Sequence, residues 1–321
     1  MRAITEFEKI NLVIKPTPFY KLNNISRITG KNIYIKRDDM TGIGLGGNKV
    51  RKLEYVLADA VKSGADTIIT TGAAQSNHAM LTAACCRRLG LDVILVLMQR
   101  GVTEKKGNLL LNDLLGVKVV FVDSDCFDDV YTEISRISDE LRAAGKKPYI
   151  IPVGASVPLG TLGYIDCVRE IALQAEAQSV CINHIVCCVG SGGTYAGAAL
   201  GAKLFFPNAK VTGIIVSPED FRPIVTDLIK GACTILDTDY PPMEDVINLF
   251  NYEGKGYAIP SERGNAAIRL MAENEGLFLD PVYTGKTFGG MLDLIDKDYF
   301  KDEDNIVFIH TGGAASLFAI M

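Results

Sequence analysis

The stretch HIVCCVGSGGTYAGAALGAKLF, residues 184–205, carries the clearest indication of the fold. After His184, the next five residues form an uninterrupted apolar run of Val, Ile and Cys, typical of a strand buried on both faces of a parallel sheet. Glycines follow directly, and residues 194–205 then show helical spacing. A strand that passes through a glycine-rich loop into a helix is the repeating unit of an α/β protein.

The same alternation of short apolar runs and helical spacing continues along most of the 321 residues. The pattern predicts strands at residues 32–36, 67–71, 92–97, 118–122, 149–153, 184–189, 211–216 and 305–310. It predicts helices at residues 48–63, 76–89, 105–115, 127–144, 161–178, 194–205, 262–275 and 286–297. Residues 230–260 are polar and irregular in pattern, and we expect an excursion near a site there.

Composition and charge exclude several classes of protein. Hydrophobic residues make up 48% of the chain and charged residues 22%, and the net charge of −5 argues against a nucleic-acid binder. No apolar stretch reaches the roughly 18–20 residues of a membrane span, and the first residues lack a signal-peptide core. We therefore expect a soluble cytoplasmic protein that binds neither nucleic acid nor membrane.

The cysteines and histidines do not suggest a metal site. The eight cysteines contain no C-x-x-C pair, and the three histidines lie far apart in the sequence. Buried cysteine behaves as a small apolar residue, so we expect most of the cysteines to fill the core.

Two strand–helix junctions carry residues suited to binding a small anion. In open α/β sheets, ligands bind beyond the carboxyl ends of the strands. In TTGAAQSNH, residues 70–78, Ser76 or Asn77 is placed to cap the next helix, whose free N–H groups attract an anion; an ordinary N-cap is the equal alternative. In GSGGTYAG, residues 190–197, successive backbone N–H groups are able to turn towards one phosphate, with tight packing as the alternative.

The glycine loop does not match a nucleotide motif. The third glycine position of a dinucleotide fingerprint is occupied by Tyr195, and the loop lacks the G-K-[ST] ending of a P-loop. A small phosphate group fits the loop better. HTGG, residues 310–313, is a third and weaker glycine-containing junction after the last strand.

Lys49 is the candidate reactive group. It follows two glycines and an asparagine in GLGGNKVRKLEY, residues 44–55, at the start of a predicted helix. A lysine beside tightly packed backbone, together with a phosphate-binding loop elsewhere, suggests pyridoxal phosphate, whose aldehyde forms a Schiff base with a lysine amine. Lys52, three residues on, would face the same pocket. The alternative is a solvated charge at a helix start.

Five ordered motifs resemble the D-cysteine desulfhydrase/ACC deaminase family. They are KRDDMTGIGLGGNKVRKLEY, TGAAQSNHA, GSGGTYAG, LDPVYTGKT and IHTGG, and they span nearly the whole chain. The resemblance implies a pyridoxal-phosphate enzyme of fold type II, the tryptophan synthase β-like class, with two open-sheet α/β domains and the cofactor between them. The larger domain would comprise residues 1–52 and 161–321, the smaller residues 53–160. Members are usually homodimers.

The resemblance also implies roles for individual residues. Lys49 would carry the cofactor, Asn77 would bind the hydroxyl of its pyridine ring, and Ser76 would contact the substrate carboxylate or assist proton transfer. The implied cofactor-binding residues are Lys49, Lys52, Asn77, Gly190, Ser191, Gly192, Gly193, Thr194, Thr284 and Thr311. The implied catalytic residues are Lys49, Ser76, Tyr257 and Tyr283. The implied substrate-binding residues are Gln75, Ser76, Asn77 and His78.

Thr284 and Thr311 favour the desulfhydrase branch of the family. ACC deaminases typically have glutamate and leucine at these two places. A carboxylate beside the pyridine nitrogen favours a protonated ring and a strong electron sink, whereas a hydroxyl is able to donate to an unprotonated nitrogen. Elimination of a good leaving group such as thiolate tolerates the weaker sink. The expected activity is α,β-elimination of a β-substituted alanine, most of all D-cysteine, to pyruvate, sulfide and ammonia.

Other activities remain open at this point. Within the family they are ACC deaminase, cysteate sulfolyase and diaminopropionate lyase. Arg263, near Tyr257 in sequence, would be a solvated charge or would bind the sulfonate of cysteate. A non-catalytic protein that binds the cofactor is disfavoured by the presence of Ser76, Tyr257 and Tyr283, and a nicotinamide dehydrogenase is disfavoured by Tyr195.

Overall fold

A computed structural model describes all 321 residues as an α/β protein. The strands are β1 Phe19–Lys21, β2 Asn32–Lys36, β3 Thr67–Ala73, β4 Asp92–Met98, β5 Lys118–Val122, β6 Pro148–Ile151, β7 His184–Val189, β8 Lys210–Ile215, β9 Leu249–Asn251 and β10 Asn305–Ile309. The helices are α1 Asn23–Thr29, α2 Lys49–Lys62, α3 Asn77–Leu89, α4 Gly107–Leu114, α5 Phe127–Ala143, α6 Pro158–Ala177, α7 Gly193–Phe205, α8 Phe221–Leu236, α9 Met243–Val246, α10 Glu262–Glu275, α11 Thr284–Asp296 and α12 Leu317–Ile320.

The strands form two separate sheets. The six-stranded sheet has the order β1-β2-β10-β7-β8-β9, and only the β1–β2 pair is antiparallel. The four-stranded sheet has the order β5-β4-β3-β6 and is entirely parallel. Parallel strands need helical crossovers that cover both faces of the sheet, which explains the continuous apolar runs in the sequence. The predicted fold class is confirmed.

The predicted elements are present, with boundaries shifted by a few residues at most, but the sequence prediction missed several others. The strands β1 and β9 have three residues each, too few to show a period. The prediction that residues 230–260 are irregular is wrong at its start, because α8 continues to Leu236. This helix buries Phe221, Val225 and Leu228 on one face, a spacing of three and four residues that the sequence does contain.

A buried network of charged side chains anchors the first turns of α2 to the larger sheet. Arg51 is fully buried and donates to Asp38 at 2.7 Å and to Glu170 of α6 at 3.0 Å. Lys36, the last residue of β2, contacts the same Glu170 at 2.5 Å. Because each buried charge has an opposite partner, the network holds the start of α2 in one position.

The carboxyl ends of strands from both sheets face a common space. Loops that follow β3, β4 and β6 meet loops that follow β7, β8 and β10 there. This is the place where ligands bind in open α/β folds. No helix in the structure combines the length and apolar character needed to cross a bilayer.

Candidate active site

A cavity of about 390 Å³ lies between the two sheets. Its walls are formed mainly by strand–helix junctions, at residues 72–78 after β3, 98–100 after β4, 152–156 after β6, 188–194 after β7, 217–221 after β8 and 311–312 after β10. Lys49 at the start of α2 and the tyrosines Tyr257 and Tyr283 complete the lining. A concave space lined by a few converging polar groups is the usual form of a small-molecule site.

Lys49 is the first residue of α2, and its amine faces the cavity. The glycines before Lys49 let the backbone pack closely against neighbouring backbone. Gly46 has φ +76°, and a Cβ there would lie 1.7 Å from the carbonyl oxygen of Asp39. Asn48 donates to the Thr194 hydroxyl at 2.9 Å and so ties the lysine segment to the glycine loop. Burial lowers the pKa of Lys49 to about 8, which makes a neutral, nucleophilic amine accessible near neutral pH.

The glycine loop between β7 and α7 presents unpaired backbone donors. The N–H groups of Ser191, Gly192 and Thr194 have no acceptor within the protein. Gly192 has φ +81°, a conformation that disfavours other residues, and it directs the chain into the amino terminus of α7. Unpaired donors at a helix amino terminus are suited to an anion.

Lys52 places an amine beside this loop. Its side chain is fully buried and has no carboxylate partner; its amine donates only to the Ser156 hydroxyl at 3.3 Å. Ser156 in turn donates to Ser191 at 2.9 Å. Burial and the neighbouring Lys49 lower the pKa of Lys52 well below its usual value. A buried lysine without a counter-ion, beside three unpaired N–H groups, is complementary to a phosphate.

The junction after β3 is held by a chain of side-chain hydrogen bonds. Ser76, one of the two residues predicted as the cap, caps α3 by accepting from Ala79 N–H at 3.2 Å. Asn77 accepts from Asn108 at 2.7 Å, while its side chain lines the cavity. Gln75 accepts from the Asn108 backbone N–H at 2.8 Å. Gln75 does not line the cavity; it holds Asn108, which in turn bonds Asn77.

Tyr257 and Tyr283 meet inside the cavity with their hydroxyl oxygens 2.5 Å apart. Asp280 organises the second of them, because its carboxylate accepts from the backbone N–H groups of Val282, Tyr283 and Thr284 at the start of α11. Burial raises the pKa of both phenols, and the pKa of Tyr283 rises well above its ordinary value. The hydrogen bond between the two hydroxyls acts in opposite directions on them: it lowers the pKa of Tyr257 and raises that of Tyr283.

Arg100, which follows β4, places a cation over the Tyr257 ring. Its guanidinium carbon lies 5.8 Å from the centre of the Tyr257 ring. The hydrogen bond with Tyr283 and this positive charge both oppose the effect of burial on the Tyr257 pKa. Asp280 and Glu219 act in the opposite direction.

Most of the residues implied by the family motifs lie around one space. Those that line the cavity are Lys49, Ser76, Asn77, His78, Gly190, Ser191, Gly192, Thr194, Tyr257, Tyr283 and Thr311. His78 contacts Thr70 and Thr82 through its ring, and burial lowers its pKa well below the usual value, so it is a neutral wall residue. Lys52 and Gly193 are not part of the cavity wall. Gly193 belongs to the glycine loop, and a Cβ on it would be 3.2 Å from the Lys52 amine, which therefore lies behind the loop.

Thr284 and Arg263 do not reach the cavity wall. The Thr284 hydroxyl is fully buried and bonds with Asp280, donating to its carboxylate at 2.7 Å and accepting from its N–H. Arg263 pairs with Asp293 at 2.8 Å on a half-exposed surface over the Tyr252 ring. The suggestion that Arg263 binds an anionic substrate group therefore has no support in this geometry.

Sequence reasoning missed several residues of the cavity wall. They are Arg100, Ser156, Cys188, Ser217 and Glu219. All of them lie at or just after the ends of strands, so the strand-end rule applied to every junction would have found them. Burial raises the pKa of the Cys188 thiol to about 12, so it stays protonated.

The family follows from comparison with known proteins. A family model described as pyridoxal-phosphate dependent enzyme matches residues 10–312, and this chain belongs to that family. A D-cysteine desulfhydrase from Yersinia pestis (strain Pestoides F) is 43% identical, with 99% of this chain and 97% of that protein covered. A D-cysteine desulfhydrase from Klebsiella pneumoniae subsp. pneumoniae is 41% identical, with 99% and 98% covered.

Solved structures agree with this assignment. The crystal structure of an ACC deaminase homologue superposes with a TM-score of 0.92 at 41% identity and covers 98% of this chain and 94% of its own. A hydrogen sulfide-producing enzyme from Fusobacterium nucleatum shares the fold, with a TM-score of 0.69 at 19% identity over 99% of this chain and 98% of its own. The resemblance inferred from the sequence motifs is confirmed.

The reactivity of Lys49 towards an aldehyde should follow its lowered pKa. Only the neutral amine attacks an aldehyde, so association of pyridoxal phosphate with the apoprotein should quicken as pH rises towards about 8 and level off above it. Stopped-flow absorbance of the cofactor would measure this rate. A rise that continues to about pH 10.4, the usual lysine value, would contradict the effect of burial.

Proposed function

We propose that this protein is a pyridoxal-phosphate dependent lyase that converts D-cysteine and water to pyruvate, ammonia and sulfide. The observation that carries the proposal is the meeting, in one cavity, of a buried lysine amine, an unpaired anion-binding loop and a pair of bonded tyrosines. The names of relatives that are 41–43% identical over nearly their whole length support the choice of D-cysteine.

The residues present fit the cofactor group by group. Lys49 would hold its aldehyde carbon covalently, and Lys52 with the loop Gly190–Thr194 would hold its phosphate. The side-chain oxygen of Asn77 accepts a hydrogen bond from Asn108, so its side-chain NH₂ group would be left to bond the ring hydroxyl. Thr311 faces the same space from the end of β10. When bound, the cofactor supplies an electron sink for charge that develops at the substrate α-carbon.

The protein's own residues orient the substrate and move its proton. The amino terminus of α3, capped by Ser76, would bind the substrate carboxylate through the unpaired N–H groups of Asn77 and His78. Tyr257 would act on a proton at the substrate, because its hydroxyl shares a hydrogen bond with Tyr283 and its ring faces the Arg100 guanidinium. The neutral amine of Lys49 is a second base within the cavity.

We propose the domain division expected from the sequence, with residues 53–160 as the smaller domain and residues 1–52 and 161–321 as the larger. All four strands of the smaller sheet lie between Thr67 and Ile151, which supports it. Movement of the smaller domain would carry Ser76 and close the cavity over its substrate. From the family resemblance we also propose a cytoplasmic homodimer.

The proposal predicts the outcome of a substrate panel. Purified holoenzyme should release sulfide and pyruvate in equal amounts from D-cysteine, and more slowly or not at all from L-cysteine. The panel should include β-chloroalanine, cysteate, diaminopropionate and the cyclopropane amino acid 1-aminocyclopropane-1-carboxylate. Coupled assays for pyruvate, sulfide and 2-oxobutyrate would measure the products.

Two outcomes of the panel would contradict the D-cysteine assignment. Formation of 2-oxobutyrate from the cyclopropane acid with no sulfide from D-cysteine would place the enzyme with the deaminases. Release of sulfite from cysteate as the fastest reaction would make it a sulfolyase, and Arg100, which does line the cavity, would then be the cation to examine.

A further inference from the structure

Lys286 is a buried lysine with an unusual set of partners. It lies in the first turn of α11, its side chain is 2% exposed, and no carboxylate lies within ion-pair distance. Its amine donates instead to two backbone carbonyl oxygens, those of Glu253 at 2.7 Å and Gly256 at 2.8 Å. Burying an ammonium group costs free energy, and here the only groups that offset this cost by hydrogen bonding are the two carbonyl oxygens.

Both acceptors belong to the loop that carries Tyr257. We define the tyrosine loop as residues 253–259. Within the loop, backbone bonds are confined to two long turn contacts of 3.4 Å, Gly256 N–H to Glu253 and Ile259 N–H to Gly256. Three hydrogen bonds join the loop to the rest of the fold: the two from Lys286 and the one between Tyr257 and Tyr283.

All three hydrogen bonds join the tyrosine loop to residues at the start of α11. Tyr283 is the residue directly before α11, and Lys286 lies three positions later. This turn is itself held by Asp280, which accepts three backbone N–H bonds at its start. One rigid turn therefore presents Tyr283 directly and reaches the segment of Tyr257 through the Lys286 amine.

We propose that Lys286 is a positioning residue for Tyr257: it fixes the tyrosine loop so that the Tyr257 hydroxyl meets Tyr283 inside the cavity. This inference rests on the proposed role of the tyrosine pair in proton transfer. Without the two bonds from Lys286, the tyrosine loop would retain one hydrogen bond to the rest of the fold, and its backbone freedom would oppose that bond. The two phenols would then meet for only part of the time, and proton transfer would slow.

The test is Lys286→Met, which keeps most of the aliphatic side chain and removes all three donors. Amide hydrogen exchange of the holoenzyme should rise in the tyrosine loop and stay unchanged elsewhere. The cofactor absorbance should be unaltered, because Lys49 lies on α2 and is not contacted by Lys286. With the best substrate of the panel, kcat should fall about tenfold while KM changes by less than about twofold.

Two controls separate positioning from general damage. Lys297→Met removes an exposed lysine just beyond the other end of α11, one that pairs with Asp293, and should change neither exchange in the loop nor kcat. A double-mutant cycle with Tyr257→Phe tests the route of action. If Lys286 acts through Tyr257, adding Lys286→Met to Tyr257→Phe should lower kcat by less than about twofold.

Lys286→Arg, which keeps a charged donor, should restore most of the loop protection and most of kcat. Should the methionine variant lose its cooperative melting transition, Lys286→Gln carries the same test, because its shorter amide does not span both carbonyls. Unchanged exchange in the tyrosine loop would overturn the proposal, whatever the substrate proves to be. A tenfold loss that persists in the Tyr257→Phe background would also overturn it, and both results leave the D-cysteine assignment to be judged by the panel.

Discussion

Replacing Lys49 with alanine is expected to reduce turnover by on the order of a thousandfold or more, as removal of a covalent nucleophile does in other enzymes. The amine is the only lysine amine on the cavity wall, and burial holds its pKa at about 8. Its loss removes both the covalent attachment of the cofactor and a base. The measurement is the steady-state release of pyruvate, with cofactor content determined on the same sample.

The matched control for this variant is Lys62→Ala, at the other end of α2. Lys62 is exposed and pairs with Glu8 at the surface, so its loss should leave turnover and cofactor content unchanged. Turnover by Lys49→Ala within tenfold of the unmodified enzyme would be incompatible with covalent attachment at this residue.

Tyr283→Phe is expected to lower kcat by about 10²- to 10⁴-fold, the usual range for loss of a positioned acid–base group. The ring would remain packed against Gly190, where its edge lies 3.2 Å from the place of a Cβ, so the wall of the cavity should persist. What is lost is the hydroxyl that bonds Tyr257 at 2.5 Å. The pKa of Tyr257 should then rise further, because that bond opposes the effect of burial.

This change in pKa gives the variant a pH signature. If proton transfer needs ionised Tyr257, kcat rises with pH as this phenol loses its proton. In Tyr283→Phe that rise should occur at higher pH, because a higher pKa requires more alkaline solution to ionise the group. Tyr252→Phe is the control, because the Tyr252 hydroxyl bonds Asp293 outside the cavity. An unaltered kcat in Tyr283→Phe would remove the tyrosine pair from the mechanism.

The regular elements and the strand-end sites were predictable because their signals are local. Buried parallel strands appear as apolar runs, and glycine-rich junctions such as residues 190–194 follow them directly in sequence. The sequence does not predict α8, because the polar residues of its exposed face and its last residues resemble the irregular stretch that follows. Short strands such as β1 have too few residues to show any period.

The buried charges were not predictable, because a charged residue has the same appearance in sequence whether it is solvated or enclosed. Arg51 and Lys52 are neighbours in α2, yet one lies in an ion network with Asp38 and the other has no counter-ion beside the glycine loop. Lys286 similarly looks like a surface lysine of a helix start. Their environments depend on segments that lie far away in the chain.

The identity of the cavity wall also depended on tertiary structure. Motif resemblance placed Thr284 beside the cofactor ring, but the turn after Asp280 rotates Tyr283 into the cavity and directs the Thr284 hydroxyl to the Asp280 carboxylate. Arg100 and Glu219 follow strands of different sheets, and the fold brings both to the wall of the same cavity. Neither residue lies near a recognisable motif.

The most direct measurement of the central claim is reduction of the holoenzyme with borohydride, followed by peptide mass mapping. The account predicts one phosphopyridoxyl group, bound irreversibly to Lys49 in the peptide that contains GLGGNK, with Lys52 unmodified. A label on a lysine other than Lys49, or a reduced protein that carries no label although the cofactor was bound, would contradict it.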